Sequence, residues 1–163
     1  MAILNSRHDG ESVSDAASLV LRSLTPAEFD RFVELHVPAF AAANVASGDW
    51  PAAAALEESR QAFARALPQG LASPGHELYA LVTPDQAALE HRVGWLWLEL
   101  RRTALVPYAY LYELSIDQPF RRRGFGRQAI ALAASRCREA GLSRLVLHVF
   151  ADNPGAIALY EQC

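Results

Sequence analysis

The chain has 163 residues, enough for one domain that buries roughly two thirds of its unfolded surface. With 52% hydrophobic and 20% charged residues it has the composition of a folded globular protein, which excludes a disordered chain. A net charge of −3 lacks the basic excess with which a nucleic-acid binder neutralises phosphates, so no nucleic-acid partner is expected.

In chain order, the opening MAILNSRHDGESVSDAAS has no apolar core of a signal peptide. Residues 1–17 read as a flexible leader ahead of one domain over 18–163. No run of 18 apolar residues offers a membrane span, so no membrane partner is expected. Two cysteines, Cys137 and Cys163, lack C-x-x-C spacing and fit a reducing cytoplasm. A first strand covers 19–24. Thr25-Pro26-Ala27-Glu28 then supplies an N-cap, a proline at the first helical position and an acid in the first turn. Phe29, Phe32, Val33 and Val37 recur at helical spacing until Pro38 bends or breaks the helix.

A second helix opens at Asp49-Trp50-Pro51 and stops at Pro68 and Gly70. Three strand-like runs, about 78–82, 93–100 and 108–116, resemble an antiparallel meander. Ile130, Ala133, Ala134 and Cys137 share a helical face that Gly141 terminates. Residues 145–150 form a nearly continuous apolar strand, and Asn153-Pro154 opens a last helix. The order βααβββαβα predicts a mixed α/β fold.

The segment from Tyr112 to Arg127 combines a strand, a turn and a helix start. Gly124 and Gly126 remove side chains where backbone must approach a ligand, and free N–H groups at a helix N-terminus form an anion site. Arg121, Arg122, Arg123 and Arg127 concentrate cation in a net acidic chain, so an anionic ligand would relieve their repulsion. A pyrophosphate fits that requirement. The alternative for any such loop is a solvated turn.

Arg121-x-x-Gly124-x-Gly126 is similar to the [QR]-x-x-G-x-[GA] signature of the GNAT superfamily of acetyl-CoA-dependent N-acetyltransferases. The resemblance covers residues 19–163 and is strongest from Tyr112 onward. It implies a mostly antiparallel sheet flanked by helices. It implies acetyl-CoA as co-substrate, with its pyrophosphate held by backbone between Arg122 and Arg127, Phe125 included. It also implies that Leu114, Ser115 and Ile116 offer backbone groups to the pantetheine and acetyl carbonyl.

Asn153-x-x-Ala156-x-x-x-Tyr160 looks like the superfamily's last motif. Asn153 is then a further cofactor contact. Tyr160 lies roughly 10 Å along the helix, at about 1.5 Å per residue, beside the CoA sulfur. A phenol, with a pKa of about 10 in water, can protonate a leaving thiolate of pKa near 8.5. The base has two candidates. His148 stands where related N-terminal acetyltransferases carry a glutamate, and a histidine titrating near 6.5 can accept a proton; the alternative is a hydrogen-bonded core histidine. Glu113 stands in the strand leading to the loop; the alternative is a carboxylate paired with arginine. Tyr110 and Tyr112 replace acids or histidines found in some members.

His36, His76 and His91 share no ligand spacing and read as surface or turn residues, so no metal is expected. The acceptor, a small-molecule amine or a protein N-terminus, would enter past Glu34, Asn44, Asp49, Trp50, Glu57, Glu58, Trp95, Trp97 and Glu99. Ser47-Gly48-Asp49-Trp50, Leu67-Pro68-Gln69-Gly70 and Ser73-Pro74-Gly75-His76 look like a bacterial subgroup. Members usually continue past the final motif with one or two more strands. A sheet edge is therefore expected to stand open or to be completed by a partner, which makes a homodimer possible. The resulting reading is direct acetyl transfer from acetyl-CoA to a primary amine. Its alternative is a CoA-binding module or inactive relative.

Overall fold

Among the described residues six strands hydrogen-bond into one sheet: β1 (Ala2–Leu4), β2 (Val20–Ser23), β3 (His76–Pro84), β4 (Glu90–Arg101), β5 (Tyr108–Ile116) and β6 (Leu145–Leu147). Their spatial order is β1-β6-β5-β4-β3-β2, antiparallel at every pair except β5–β6. Among the described residues four helices cover it: α1 (Pro26–Ala46), α2 (Ala52–Ala66), α3 (Phe125–Glu139) and α4 (Pro154–Glu161). The structure, a computed structural model, describes residues 2–4, 18–84, 90–103, 106–149 and 153–161.

The expected mixed, mostly antiparallel sheet flanked by helices is what the chain forms, with one addition. Ala2–Leu4, a flexible leader by sequence, pair antiparallel with Leu145–Leu147. The β6 edge that the resemblance leaves open is thereby paired along these three residues, and β1 becomes the edge strand on that side. The rest of the leader, 5–17, and the chain end, 162–163, lie outside the described residues.

Local chemistry accounts for the entry into α1. The Thr25 hydroxyl accepts from the Glu28 N–H at 3.3 Å while the Glu28 carboxylate accepts from the Thr25 N–H at 2.9 Å, a reciprocal capping box. Arg22 of β2 adds two charge-assisted hydrogen bonds to the same carboxylate, at 3.0 and 2.6 Å. These bonds, Arg22 first, hold Glu28 down at about 2 against burial, which acts in the opposite direction. A depressed carboxyl contributes stability that is complete above its unfolded value and is lost as pH falls through the folded one. Glu28→Gln should therefore cost about 1–2 kcal/mol at pH 7 and almost nothing at pH 2, measured by urea unfolding at both pH values. An equal cost at both would refute the linkage. Pro38 does not end α1, which runs unbroken to Ala46.

Alternation along β3 and β4 sorts side chains onto two faces. Leu81, Val93, Leu96 and Leu98 join Ala109, Leu111 and the apolar stripe of α3, Phe125, Ala129, Ile130 and Ala133. Leu78, Ala80, Val82, Trp95 and Trp97 face the other way, against Phe32 of α1 and Leu67 beyond α2. Each fully buried leucine on either face contributes about 1.5–3 kcal/mol by leaving water. Arg136 of α3 clamps the sheet from one side through a bidentate pair with Glu77, at 2.6 and 2.8 Å.

The central ladder is irregular at one point. The β4–β5 register steps from Trp97↔Glu113 to Leu98↔Leu111, which leaves Tyr112 as the extra residue of a β-bulge. Tyr112 and Glu113 consequently present to the same side, the α1/α2 side, while Leu114 and Ile116 return to the α3 core. Were Tyr112 itself paired opposite Trp97 in a regular ladder, Glu113 would point into the α3 core.

Candidate active site

The β5–β6 ladder pairs only Ala109, Tyr110 and Leu111 with Leu145, Val146 and Leu147, whereas β5 continues to Ile116. Among the described residues, β6 ends opposite Leu111, and the 112–116 edge of β5 pairs with no strand on that side. Leu114, Ser115 and Ile116, expected to present backbone to a cofactor, all lie on this stretch. The strand then turns through Gln118–Phe120, a single 3₁₀ turn, into the loop and α3.

In that loop Arg122 (φ 62) and Gly124 (φ 83) both occupy the left-handed region, so the chain reverses sharply before Phe125. Intrahelical bonding at the start of α3 reaches back to Gly124 from the Gln128 N–H. The N–H groups of Phe125, Gly126 and Arg127 belong to the first turn, which has no intrahelical acceptors. A Cβ on Gly124 would meet nothing within 4 Å, so space lies open there. The side chains of Arg121, Arg122, Arg123 and Arg127 are exposed around it. Arg121 also donates from Nε to the Ile116 carbonyl at 2.9 Å, tying loop to strand. Open space, first-turn N–H groups and four arginines suit a phosphate-bearing anion.

Gly126 brings α4 to the same place. A Cβ there would lie 3.1 Å from Leu159 Cδ2, so the missing side chain lets α4 approach the first turn of α3. Tyr160, the next residue, is half-buried and packs against the α3-side core. Asn153 uses its side-chain oxygen to accept the Ala156 N–H at 3.0 Å, capping α4. That oxygen serves the helix, which leaves the amide group as the part of Asn153 open to a cofactor role.

On the opposite side of β5 a pocket of about 300 Å³ opens between α1 and α2. Ala39 and Ala43 on α1 and Ala62 and Ala66 on α2 contribute only methyl groups, and that leaves the gap between the helices. Phe40, Phe63, Trp97 and Tyr112 form its aromatic walls, with the Trp97 and Tyr112 rings stacked at 4.4 Å. The polar end is Glu113 with His36.

His36, a surface or turn residue by sequence, is in fact buried, only 9% exposed. Its Nδ1 lies 2.8 Å from the Phe32 carbonyl, which can only accept, so Nδ1 carries a hydrogen. Nε2 then faces Ser115 Oγ at 3.2 Å and Glu113 Oε1 at 3.5 Å. In the neutral ring it accepts from the serine hydroxyl. With a second proton it donates to the carboxylate. Glu113 and His36 together can thus take up one proton at the inner end of the pocket. A sequence signal existed: His36 lies four residues after Phe32 and three after Val33, on the apolar face of α1.

Other expected residues fall elsewhere. His148 lies just past the end of β6, exposed rather than inside an apolar strand, because β6 stops at Leu147; Phe150, expected to extend it, lies outside the described residues. The histidine that meets Glu113 is His36. His76, also expected at the surface or in a turn, is half-buried and accepts the Trp97 indole N–H at 3.0 Å; burial pushes its pKa down. Glu34, Glu57, Asp49 and Glu99 bind local partners, Arg31, Arg60, Ser47 and Arg101. Asn44 is buried and donates to the Phe40 carbonyl. Trp50 packs edge-on against Phe40 at 5.2 Å, and Trp95 is core at 2% exposure. Burial pushes the Tyr110 and Tyr112 phenols up. Cys137 sits in the core, its thiol against the Arg144 and Leu142 carbonyls.

The sequence profile of the Acetyltransferase (GNAT) family matches residues 40–163. The chain belongs to the GNAT acetyltransferase family. This GNAT protein is an acyltransferase, and members of its family generally use acetyl-CoA. It is 35% identical over 145 residues to the uncharacterized N-acetyltransferase YdgE of Bacillus subtilis (strain 168), covering 89% of this chain and 90% of that one. The crystal structure of YycN from Bacillus subtilis, described likewise as an uncharacterized N-acetyltransferase, superposes with a TM-score of 0.81 at 32% identity, covering 89% of this GNAT chain and 90% of YycN. The spermidine N-acetyltransferase of Vibrio cholerae, solved with CoA and spermine, shares the fold at a TM-score of 0.59 and 20% identity, over 90% of this chain and 79% of that one. Among the described residues, no helix of the GNAT domain is long and apolar enough to cross a membrane, and no group of three or more His, Cys, Asp or Glu could hold a metal ion.

Proposed function

We propose that the protein transfers the acetyl group of acetyl-CoA directly to a primary amine, of a small molecule or a protein N-terminus. The observation that carries this reading is the position of Glu113. It stands on the strand whose 112–116 edge pairs with no strand on the β6 side among the described residues, and its carboxylate lies in the pocket on the other side. Acetyl-CoA supplies a thioester acetyl group and a thiol leaving group. The loop from Arg121 to Arg127 holds the pyrophosphate, and backbone at 114–116 orients the reacting carbonyl and its oxyanion. Glu113, aided by His36, takes one proton from the incoming ammonium; the nitrogen then forms the new C–N bond as the C–S bond breaks, Tyr160 gives its phenolic proton to the departing thiolate, and the second proton shed by the amide nitrogen restores the phenol.

Calorimetry with acetyl-CoA followed by thiol release across an amine panel tests the reading. Binding with amine-dependent thiol release supports it. Binding without turnover selects a CoA-binding module, and no binding refutes both. Tyr160→Phe keeps the packing and removes the proton donor. Because a thiolate of pKa near 8.5 needs only modest help to leave, kcat should fall about tenfold with acetyl-CoA affinity unchanged. Unchanged kcat would exclude Tyr160 as the acid.

A further inference from the structure

Resting on that proposed transfer, we infer that the acceptor is a small primary amine carrying one apolar body, of the arylalkylamine class, seated in the α1/α2 pocket with its ammonium on Glu113. The pocket's charge inventory argues for this. Among the described residues that line it, Glu113 is the one carboxylate, and every other lining residue except His36 is an alanine or an aromatic. One anion at one end of an apolar cleft matches one cation at the end of an apolar body. A second or third ammonium, as on a polyamine or an aminoglycoside, would enter apolar walls with no counter-charge, at a cost of several kcal/mol.

Size points the same way. A cleft of about 300 Å³ is at the low end for ligand sites, suited to a single ring on a short chain. The aromatic walls match such a ring: Phe40 and Phe63 meet at 6.3 Å with an interplanar angle of 61°, and the stacked Trp97–Tyr112 pair is held from behind. His76 accepts the Trp97 indole N–H, and Arg101 donates to the Tyr112 hydroxyl at 3.1 Å, so these walls are fixed by bonds on their outer side. The four alanines set the room available. Any larger residue at those positions would occupy the volume the ring requires.

The test compares 2-phenylethylamine, spermidine and a short peptide with a free N-terminus as acceptors, with acetyl-CoA affinity measured separately by calorimetry. The expected result is a kcat/KM at least tenfold higher for 2-phenylethylamine than for either rival. In Ala43→Leu and Ala62→Leu, on different helices, that kcat/KM should fall at least tenfold while acetyl-CoA affinity stays at the wild-type value, which also reports that the variants fold. Preference for spermidine or the peptide, or insensitivity of 2-phenylethylamine turnover to both leucines, overturns the inference and leaves acetyl transfer standing. Failure to bind acetyl-CoA, or binding without turnover of any amine, overturns the transfer reading and the inference with it.

Discussion

Glu113→Gln should lower kcat/KM for the amine at pH 7 by about 10²–10³-fold while leaving acetyl-CoA affinity unchanged. An aliphatic amine with a pKa near 10 is neutral in only about one molecule in 10³ at pH 7, a cost of roughly 4–5 kcal/mol. On the proposed mechanism the Glu113–His36 pair receives that proton inside the pocket, where Nε2 and Oε1 lie 3.5 Å apart. Glutamine keeps the shape of the side chain but can neither pair with an ammonium nor accept its proton. The variant must draw on amine that is already neutral in solution, so its rate should climb with pH. The defect should shrink to about tenfold or less by pH 9. Steady-state kinetics from pH 6.5 to 9 measure this; a defect independent of pH would refute the proton-accepting role.

The second large effect is structural. Gly94→Ala should destabilise the fold by about 3 kcal/mol, lowering Tm by roughly 6–12 °C. A Cβ at Gly94 would collide with the Ser115 carbonyl oxygen and lie 3.1 Å from its carbon and 3.2 Å from the Ile116 Cα. All three are backbone atoms of the neighbouring central strand, so no side chain can swing aside. β4 and β5 must separate, and Ser115, whose hydroxyl faces His36, moves with them. Differential scanning calorimetry should show the drop, and acceptor turnover should fall in parallel. A Tm within about 2 °C of wild type would show that the strands yield more readily than this packing implies.

Much of this architecture is legible in the amino-acid sequence wherever a local rule suffices. Thr25 and Glu28, Asn153 before Pro154, and Gly141 at φ +74 after α3 each mark a helix end through bonds or dihedrals formed within a few residues. The loop announces itself in the same way, by glycines placed between a strand and a helix. The acceptor side does not. His36 acquires its meaning from Ser115, 79 positions away, and from Glu113, neither of which helical periodicity can register. Glu113 faces the pocket because of a bulge at Tyr112, and an uninterrupted Tyr108–Ile116 alternation would have turned it the other way. Likewise the short opening strand carries no signal of its own in the sequence, since its partner is β6, more than a hundred residues later.

That bulge also sets how the protein can change. On the proposed reading, side chains on the pocket face of β5 answer to the acceptor, while the outer edge of the same strand answers through backbone to the other substrate. Point substitutions at Tyr112 can therefore retune amine choice with the backbone edge and the Glu113 carboxylate intact. Deletion of Tyr112 would heal the bulge, leaving Leu111 opposite Leu98 and Glu113 opposite Trp97 in a regular ladder, so the carboxylate keeps its side while the ring stacked on Trp97 is lost. Diversification along this strand is thus open to substitution and to loss of the bulged residue alike, because neither turns the flanking side chains over.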